Sequence, residues 1–487
     1  MKSHRQIFKS SAILGSASLV NIVIGIIRVK LLAVLLGPAG VGLMGLYQSI
    51  MGTATTLVGC GLDTSSVRQI AISYGDQKTL AVIRRALLWG NLLLGGIGMV
   101  VLWLAREIVA DLVFHNTANA FEVGCLGVGV FLSLIASSHM AILQGLRRIG
   151  DVARVNMLGS IAGLIFGISL ILWLGQDGVH WFVIAAPMGS VIFTSWYTSR
   201  IPSMHVKHDW DVLHKQWQSM ISLGVPLMAA ALLTLVTQVV ARSLVMKHLG
   251  LEASGYFQAA WVITMTYMGF VLSAMATDYL PRLTEAIHDH DQAKRLVNEQ
   301  TEMALLLAAP VLLAMLTLAP WVIELLYSKS FAPAAEILRW QVMGDIFKVI
   351  GWPMGFIVLA KGRGDLFIAT QFNWNIIYLL CLWFGLESMG LLVLGVGFFV
   401  AYIFQVGLVR FVAGRLIDFS SYNGNIALFV ALLFATASVL TLSKYWLVPS
   451  IWFGGLMVCC FSLYSIWKLN QLLDLKSIFY RFVGYSK

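Results

Sequence analysis

The chain has 487 residues, of which 59% are hydrophobic and 11% are charged, and its formal net charge at pH 7 is +10. A water-soluble globular protein has about 25% charged residues, so the composition indicates an integral membrane protein. The cations lie in short segments between hydrophobic runs, which argues against nucleic acid as a partner.

Hydrophobic runs of helix length recur along the whole chain and predict an all-α polytopic membrane protein with about fourteen transmembrane helices. Strands of a membrane β-barrel would be shorter and would alternate between apolar and polar residues. The longest breaks, 200–220 and 281–301, are charged and polar. The predicted helices are 11–36, 41–68, 82–105, 119–146, 154–175, 180–199, 222–248, 254–280, 302–327, 334–360, 366–387, 389–412, 424–443 and 446–468.

The first predicted helix contains two cations, Arg28 and Lys30, and ends at a Gly-Pro-Ala-Gly sequence. A charge inside a membrane helix costs something like 2.5 kcal/mol or more. One interpretation is that one or both cations face a polar cavity and hold an anion. The other is that these long side chains reach the membrane surface. The two lie about 200° apart around the helix, so they cannot both point squarely inward.

The lysines and arginines of the loops predict the orientation. With a cytoplasmic N-terminus, the outer segments hold only four cations, Arg106, Lys247, Lys329 and Lys444. We therefore expect both termini in the cytoplasm. Five cations fall within predicted helices and are candidates to bind substrate, namely Arg28, Lys30, Arg242, Arg339 and Lys348.

The first twelve predicted helices read as two copies of a six-helix unit. Leu36-Gly37 and Gly42 recur as Leu249-Gly250 and Gly255, and a second landmark at Arg147–Asp151 recurs at Lys361–Asp365. Six helices are an even number, so the repeat is parallel. We expect an N-terminal lobe at 1–199, a cytoplasmic connection at 200–221, a C-terminal lobe at 222–413, and an extra helix pair with a cytoplasmic tail at 414–487.

The repeat places Arg28 and Arg242 at matching depths, so the two could face each other across a central cleft and bind substrate. The tenth predicted helix carries Arg339, Asp345 and Lys348. Asp345 and Lys348 are three residues apart, so they share a helix face near the middle of the bilayer. They form either an internal ion pair or a site in which Lys348 binds substrate and Asp345 holds or titrates it.

Charges also recur at the predicted cytoplasmic ends of the second and eighth helices. Asp63 is followed by Arg68, and Asp278 is followed by Arg282. They are either solvated helix ends or a cytoplasmic gate closed by carboxylate–guanidinium pairs.

The sequence contains no G-x-x-x-x-G-K-[ST] loop and no soluble domain to carry one. We expect no cofactor and no metal, and we consider a proton or another ion gradient as the driving force.

Three stretches carry a resemblance to a known family: VKLLAVLLGPAGVG at 29–42, YLPRLT at 279–284 and WQVMGDIFKV at 340–349. They resemble the lipid-linked oligosaccharide flippases of the multidrug/oligosaccharidyl-lipid/polysaccharide exporter superfamily, which move O-antigen and enterobacterial common antigen precursors. Lys30, Asp345 and Lys348 fall on matching positions. At the position of Arg28 relatives can carry an apolar residue, and many members have only twelve helices.

The resemblance implies two six-helix lobes around a cationic cavity in the bacterial inner membrane. It implies flipping of undecaprenyl-pyrophosphate-linked oligosaccharide to the periplasmic leaflet by alternating access, for O-antigen or exopolysaccharide synthesis. Expected partners are this glycolipid, membrane lipid and the polysaccharide polymerase or ligase machinery. The alternative is an ion-coupled multidrug exporter of the same superfamily, but the excess of cations within the helices favours an anionic substrate.

Overall fold

The computed structural model describes residues 2–73, 75–202 and 210–473, and all side chains within them except those of residues 2–21, 227, 230, 273, 274, 276–278, 447 and 473. The described chain forms fifteen α-helices and two short 3-10 helices, Gly175–Gly178 and Lys329–Phe331. The α-helices are α1 (Lys2–Gly59), α2 (Leu62–Ile72), α3 (Gln77–Leu104), α4 (Arg106–Phe114), α5 (Ala120–Gly145), α6 (Ile149–Leu174), α7 (Val179–Ser199), α8 (Trp210–Leu249), α9 (Leu251–Ala286), α10 (His290–Leu326), α11 (Ala334–Ala360), α12 (Gly364–Met389), α13 (Leu392–Ile417), α14 (Asn423–Tyr445) and α15 (Leu447–Leu473).

Helix α1 is two helices joined without a loop. Gly37 has φ 64° and ψ −167°, which no helix adopts, and Pro38 follows it directly. Proline suits the first position of a helix because its φ is already helical and its missing N–H would be unpaired there. The predicted helix end at the Gly-Pro sequence is therefore confirmed.

The prediction of one continuous helix over 41–68 is wrong. The chain leaves the helix after Gly59, because Cys60 (φ 48°) and Gly61 (φ 68°) both adopt the left-handed conformation. Glycine takes this conformation at no steric cost. A new helix, α2, then begins at Leu62.

Eleven segments of the described chain are long and apolar enough to cross a membrane. Two of them, Ile22–Gly59 and Ile149–Ser199, each contain two successive helices. When the two helices of each such segment are counted separately, the number rises to thirteen, and α9 brings it to fourteen. Each of the fourteen predicted helices therefore has a counterpart in the structure. The all-helical membrane fold is thus confirmed.

Both predicted polar breaks contain helix. Helix α8 begins at Trp210, inside the segment expected as a connection, and α9 continues through Pro281 to Ala286. Helix α10 begins at His290, where the Asp289 carboxylate accepts hydrogen bonds from the backbone N–H groups of Asp291 and Gln292. Hydropathy marks only the apolar part of a helix, so it misses such polar ends.

Corresponding helices of the two copies begin and end with the same backbone conformation. Gly175 (φ 63°, ψ −134°) ends α6, and Gly390 (φ 55°, ψ −133°) ends α12. Arg148 (φ −79°, ψ 60°) precedes α6 in the same way as Arg363 (φ −88°, ψ 71°) precedes α12. Both pairs are 215 residues apart, so the predicted repeat is visible in the backbone.

Two compact units make up the chain. Unit 1 contains the residues up to Gly255 together with Leu326–Ser328, and unit 2 contains Tyr256–Leu325 and the residues from Lys329 onward. Helix α8, which the repeat assigns to the second lobe, thus falls in unit 1 and packs on α1. The division into lobes at 1–199 and 222–413 stays a prediction.

Candidate functional site

A polar helix face in unit 2 lies on α11. Gln341, Asp345 and Lys348 follow one another at spacings of four and three residues, so they form one stripe along the helix. Asp345 and Gln341 are fully buried, whereas Lys348 is partly exposed. The stripe therefore runs from a sealed interior to a position that other groups can reach.

Glycines bring α13 close to this helix. A Cβ atom on Gly344 would lie 2.6 Å from Cδ1 of Phe398 and 3.1 Å from Cα of Phe399. A Cβ atom on Gly395 would lie 2.7 Å from the carbonyl oxygen of Ile337. Close backbone approach at small residues is how membrane helices gain packing energy, since lipid supplies no hydrophobic effect between helices.

Helix α9 contributes two hydroxyl groups to the stripe. The Thr264 hydroxyl donates to Oε1 of Gln341 over 2.9 Å, and the Tyr267 hydroxyl donates to Oδ2 of Asp345. Among the described side chains, Oδ1 of Asp345 and Nε2 of Gln341 have no hydrogen-bond partner. The carboxyl group is therefore buried with only one of its two oxygens satisfied.

Lys348 is held by soft, electron-rich groups. Its Nζ atom lies 5.7 Å from the centre of the Tyr402 ring and 3.9 Å from Sδ of Met265. Among the described residues, no carboxylate lies within 4.0 Å of this ammonium group. Tyr402 in turn packs on Trp374 and Phe398, with ring centres 5.4 and 4.8 Å away. A cation–π contact of this kind holds a cation in place without neutralising it.

Sequence reasoning found Asp345 and Lys348 but missed Thr264, Tyr267 and Tyr402. In the sequence, Thr264 and Tyr267 are marked only by their spacing of three residues, which places them on one face of α9. Hydroxyl groups are common in apolar helices, however, so this spacing alone does not indicate a site.

The other cations that were predicted to bind substrate lie in varied surroundings. Arg28 is partly exposed, with its guanidinium 4.5 Å from the centre of the Phe182 ring. Arg242 is 4% exposed and donates to Oε1 of Gln238 over 2.8 Å. Arg28 and Arg242 both belong to unit 1.

Lys30 and Arg339 are both partly buried. Lys30 lies two residues beyond Arg28 on α1. Arg339 lies on α11 before the polar stripe, and its Nε atom is buried with no described partner.

The gate candidates are only partly described. Asp63 accepts a hydrogen bond from the backbone N–H of Thr64 and lines a polar cavity of about 290 Å³ in unit 1. Arg68 is exposed and, among the described residues, does not form an ion pair with Asp63. Arg282 is exposed, and the Asp278 side chain lies outside the described residues.

A family model for polysaccharide biosynthesis proteins matches residues 31–336. The chain is similar to the lipid III flippase of Escherichia coli (strain K12), with 25% identity over 374 residues that cover 74% of this chain and 87% of the relative. It is also similar to the teichuronic acid biosynthesis protein TuaB of Bacillus subtilis (strain 168), with 20% identity over 68% of this chain and 66% of the relative.

Two solved structures share the fold. The lipid II flippase MurJ in an inward closed conformation aligns with 96% of this chain and 99% of its own, with a TM-score of 0.71 and 15% identity. An inward-facing multidrug resistance MATE family transporter of the MOP superfamily aligns with 82% of this chain and 96% of its own, with a TM-score of 0.65 and 17% identity.

Proposed function

Since the chain belongs to the family of polysaccharide biosynthesis proteins, we propose that it moves an undecaprenyl-pyrophosphate-linked oligosaccharide from the cytoplasmic to the periplasmic leaflet. The chain is a multi-pass membrane transporter of the MOP superfamily rather than an enzyme. We place it in the bacterial inner membrane, and the cations in the predicted loops support an orientation with both termini in the cytoplasm.

The observation that carries the proposal is the partly exposed Lys348 on α11. A charge within a membrane-spanning helix is expensive. Around this ammonium group lie the Tyr402 ring, the Met265 thioether and, one helical turn away, Asp345, but no carboxylate of a described residue lies within 4.0 Å. A pyrophosphate group would supply a direct anionic partner. The substrate would therefore bind beside Lys348 and make the close charged contact that Asp345 does not make.

Asp345 has a different proposed role. It is fully buried and hydrogen-bonded by Tyr267, so a substrate cannot reach it directly. A buried carboxyl group one helical turn from the substrate-binding ammonium is placed to influence that group through its own charge. We assign it as the coupling residue that responds to a proton or another ion gradient.

Arg28, Lys30, Arg242 and Arg339 are further proposed contacts of the pyrophosphate. Arg28 supports this role because, among the described residues, no carboxylate lies within 4.0 Å of it. Asp63, Arg68, Asp278 and Arg282 are proposed to close the cytoplasmic side by ion pairs that form in the outward-facing state.

The test of the proposed function is complementation of a flippase-deficient strain, followed by identification of the lipid-linked glycan that reaches the outer face. Wild-type protein should restore surface polysaccharide, and Lys348→Gln should not, although it reaches the membrane in normal amount. Lys329→Gln is the matched control, because this exposed lysine pairs with Glu324 outside the site. Export of lipophilic cations without any transfer of glycan would instead support the multidrug exporter.

A further inference from the structure

A second cavity, of about 350 Å³, lies within unit 2 between α10, α11, α13 and α14. Its volume falls in the range of ligand sites, which is roughly 300–1,000 Å³. It lies apart from the α11 polar stripe, and none of the proposed substrate contacts lines it. Its occupant must therefore be inferred from its own walls.

The two ends of this cavity differ in chemistry. Arg410, Ser421 and Asn425 line one end, close to the turn that joins α13 to α14, and Phe419 of that turn also lines the cavity. Phe347 and Phe429 line the other end, with their rings edge to face and centres 5.3 Å apart. A cation and polar groups thus lie at one end, and aromatic rings at the other.

The polar end of the cavity lies nearer to the C-terminal ends of α11 and α13 than the aromatic end does. At 1.5 Å per residue, Arg410 is about 10 Å from the end of α13, whereas Phe347 is about 20 Å from the end of α11. Residues near these two helix ends pack into one buried cluster that includes Ile357, Ala413 and Ile417. The cavity therefore points from the membrane surface toward the apolar interior.

Arg410 is available to an anion. Its guanidinium donates to the Ser421 hydroxyl over 2.8 Å, and no carboxylate of a described residue lies within 4.0 Å of it. An arginine has five N–H donors in a fixed fork. Together with the adjacent hydroxyl group, the unused donors suit a phosphate.

Hydrogen bonds within the protein hold the polar rim of the cavity in place. Asn298 of α10 accepts from the backbone N–H of Tyr422 over 2.7 Å and donates to the carbonyl of Ser420 over 3.0 Å. Asn425 donates to the carbonyl of Asn298 over 2.9 Å. A rim that is held by the protein itself lowers the entropy cost of binding.

We propose that this cavity binds a diacyl phospholipid with an anionic headgroup. Its phosphate contacts Arg410 and Ser421, and one acyl chain lies along Phe347 and Phe429. A membrane surrounds the helices, so a lipid is the amphipathic molecule available in excess, and basic pockets between transmembrane helices are typical sites for anionic headgroups. The lipid would join the terminal pair α14–α15 to α11.

The test uses the purified full-length protein in detergent, stripped of lipid and titrated with phosphatidylglycerol, phosphatidylcholine or inorganic phosphate. Native mass spectrometry counts the bound molecules. We expect one tightly held phosphatidylglycerol and no comparable binding of phosphatidylcholine or phosphate. Arg410→Gln should weaken the binding roughly fivefold, which corresponds to about 1 kcal/mol per basic residue at a membrane surface.

Two further variants sharpen the result. Ile350→Trp should abolish binding because Ile350 lines the cavity. Arg415→Gln should leave the affinity unchanged, since its guanidinium lies over the Phe411 ring and it does not line the cavity. Equal losses in Arg410→Gln and Arg415→Gln would overturn the proposal. Displacement of phosphatidylglycerol by an uncharged polyprenol would also overturn it, because the cavity would then hold an isoprenoid tail. None of these measurements depends on transport.

Discussion

Helices α5 and α11 occupy the same position in the two copies of the repeat, but only α11 carries the polar stripe. The turns that end them match at a separation of 215 residues, so Val130 and Ser133 of α5 correspond to Asp345 and Lys348 of α11. Ser133 carries no charge, and Val130, at the position of Asp345, is fully buried. An apolar side chain therefore fills this position well.

The difference separates what the fold needs from what the site needs. Both helices end in the same kind of turn, and both are followed by a helix that begins after an arginine of similar backbone geometry. The architecture is thus built twice, once without these charges. We therefore expect that the fold does not require the charged face of α11.

The largest expected effect follows from making α11 resemble α5. The double variant Asp345→Leu, Lys348→Met should reach the membrane and unfold at the wild-type temperature or above it, because apolar side chains of similar volume often replace buried charges without loss of stability. Translocation of the lipid-linked oligosaccharide should fall to background. Thermal unfolding in detergent and a leaflet-specific glycolipid assay measure the two properties.

The single variants complete that experiment. Each leaves one charge of a membrane-spanning helix without its neighbour, so each should be less stable than the double variant. If the double variant recovered both stability and translocation, the two charges would be a structural pair and the assigned substrate role of Lys348 would be wrong.

A smaller effect is expected from the hydrogen bond that α9 provides. Tyr267→Phe removes a donor from the buried Asp345, and a hydrogen bond to a charged group contributes about 1.5–3 kcal/mol. Tyr279→Phe is the control, since the Tyr279 hydroxyl donates to the uncharged carbonyl of Pro353 over 2.9 Å. The unfolding temperature should fall further for Tyr267→Phe, and an equal fall would contradict a special role for this tyrosine.

The packing that positions α11 can be tested next. Gly344→Ala places a methyl group against Phe398 and Phe399, and such overpacking costs about 1–3 kcal/mol. Gly355, on the same helix, has open space where a Cβ would lie. Gly355→Ala should therefore leave the unfolding temperature unchanged or raise it slightly, and equal destabilisation by both variants would mean that the contact with α13 is not tight.

The smallest effects are expected at the matching turns. Arg148 pairs with Asp151 over 3.5 Å, and Arg363 pairs with Asp365 over 2.7 Å. The Arg363 pair is exposed and the Arg148 pair is partly exposed, so Arg148→Ala and Arg363→Ala should leave translocation unchanged and move the unfolding temperature very little. Loss of translocation in either variant would show that these turns do more than end a helix.

Much of the fold could be predicted from the sequence, because a membrane helix is a long apolar run and Gly37-Pro38 marks a break in any context. The break at Cys60–Gly61 has only Gly59 and Gly61 as its local signal, and glycine is also frequent inside unbroken membrane helices, so it could not be predicted. Asp345 and Lys348 stand out as charges in an apolar helix. Their partners Tyr267 and Tyr402 are defined only by the packing of distant helices, which no local pattern contains.

The most direct test of the proposed substrate site is equilibrium binding of an undecaprenyl-pyrophosphate-linked oligosaccharide to the purified protein. Lys348→Gln should weaken this binding roughly tenfold or more, since a charged contact of about 1.5–3 kcal/mol is lost. Lys329→Gln should bind like the wild type. Equal affinities of the wild type and Lys348→Gln would contradict the assignment of α11 as the substrate-binding helix.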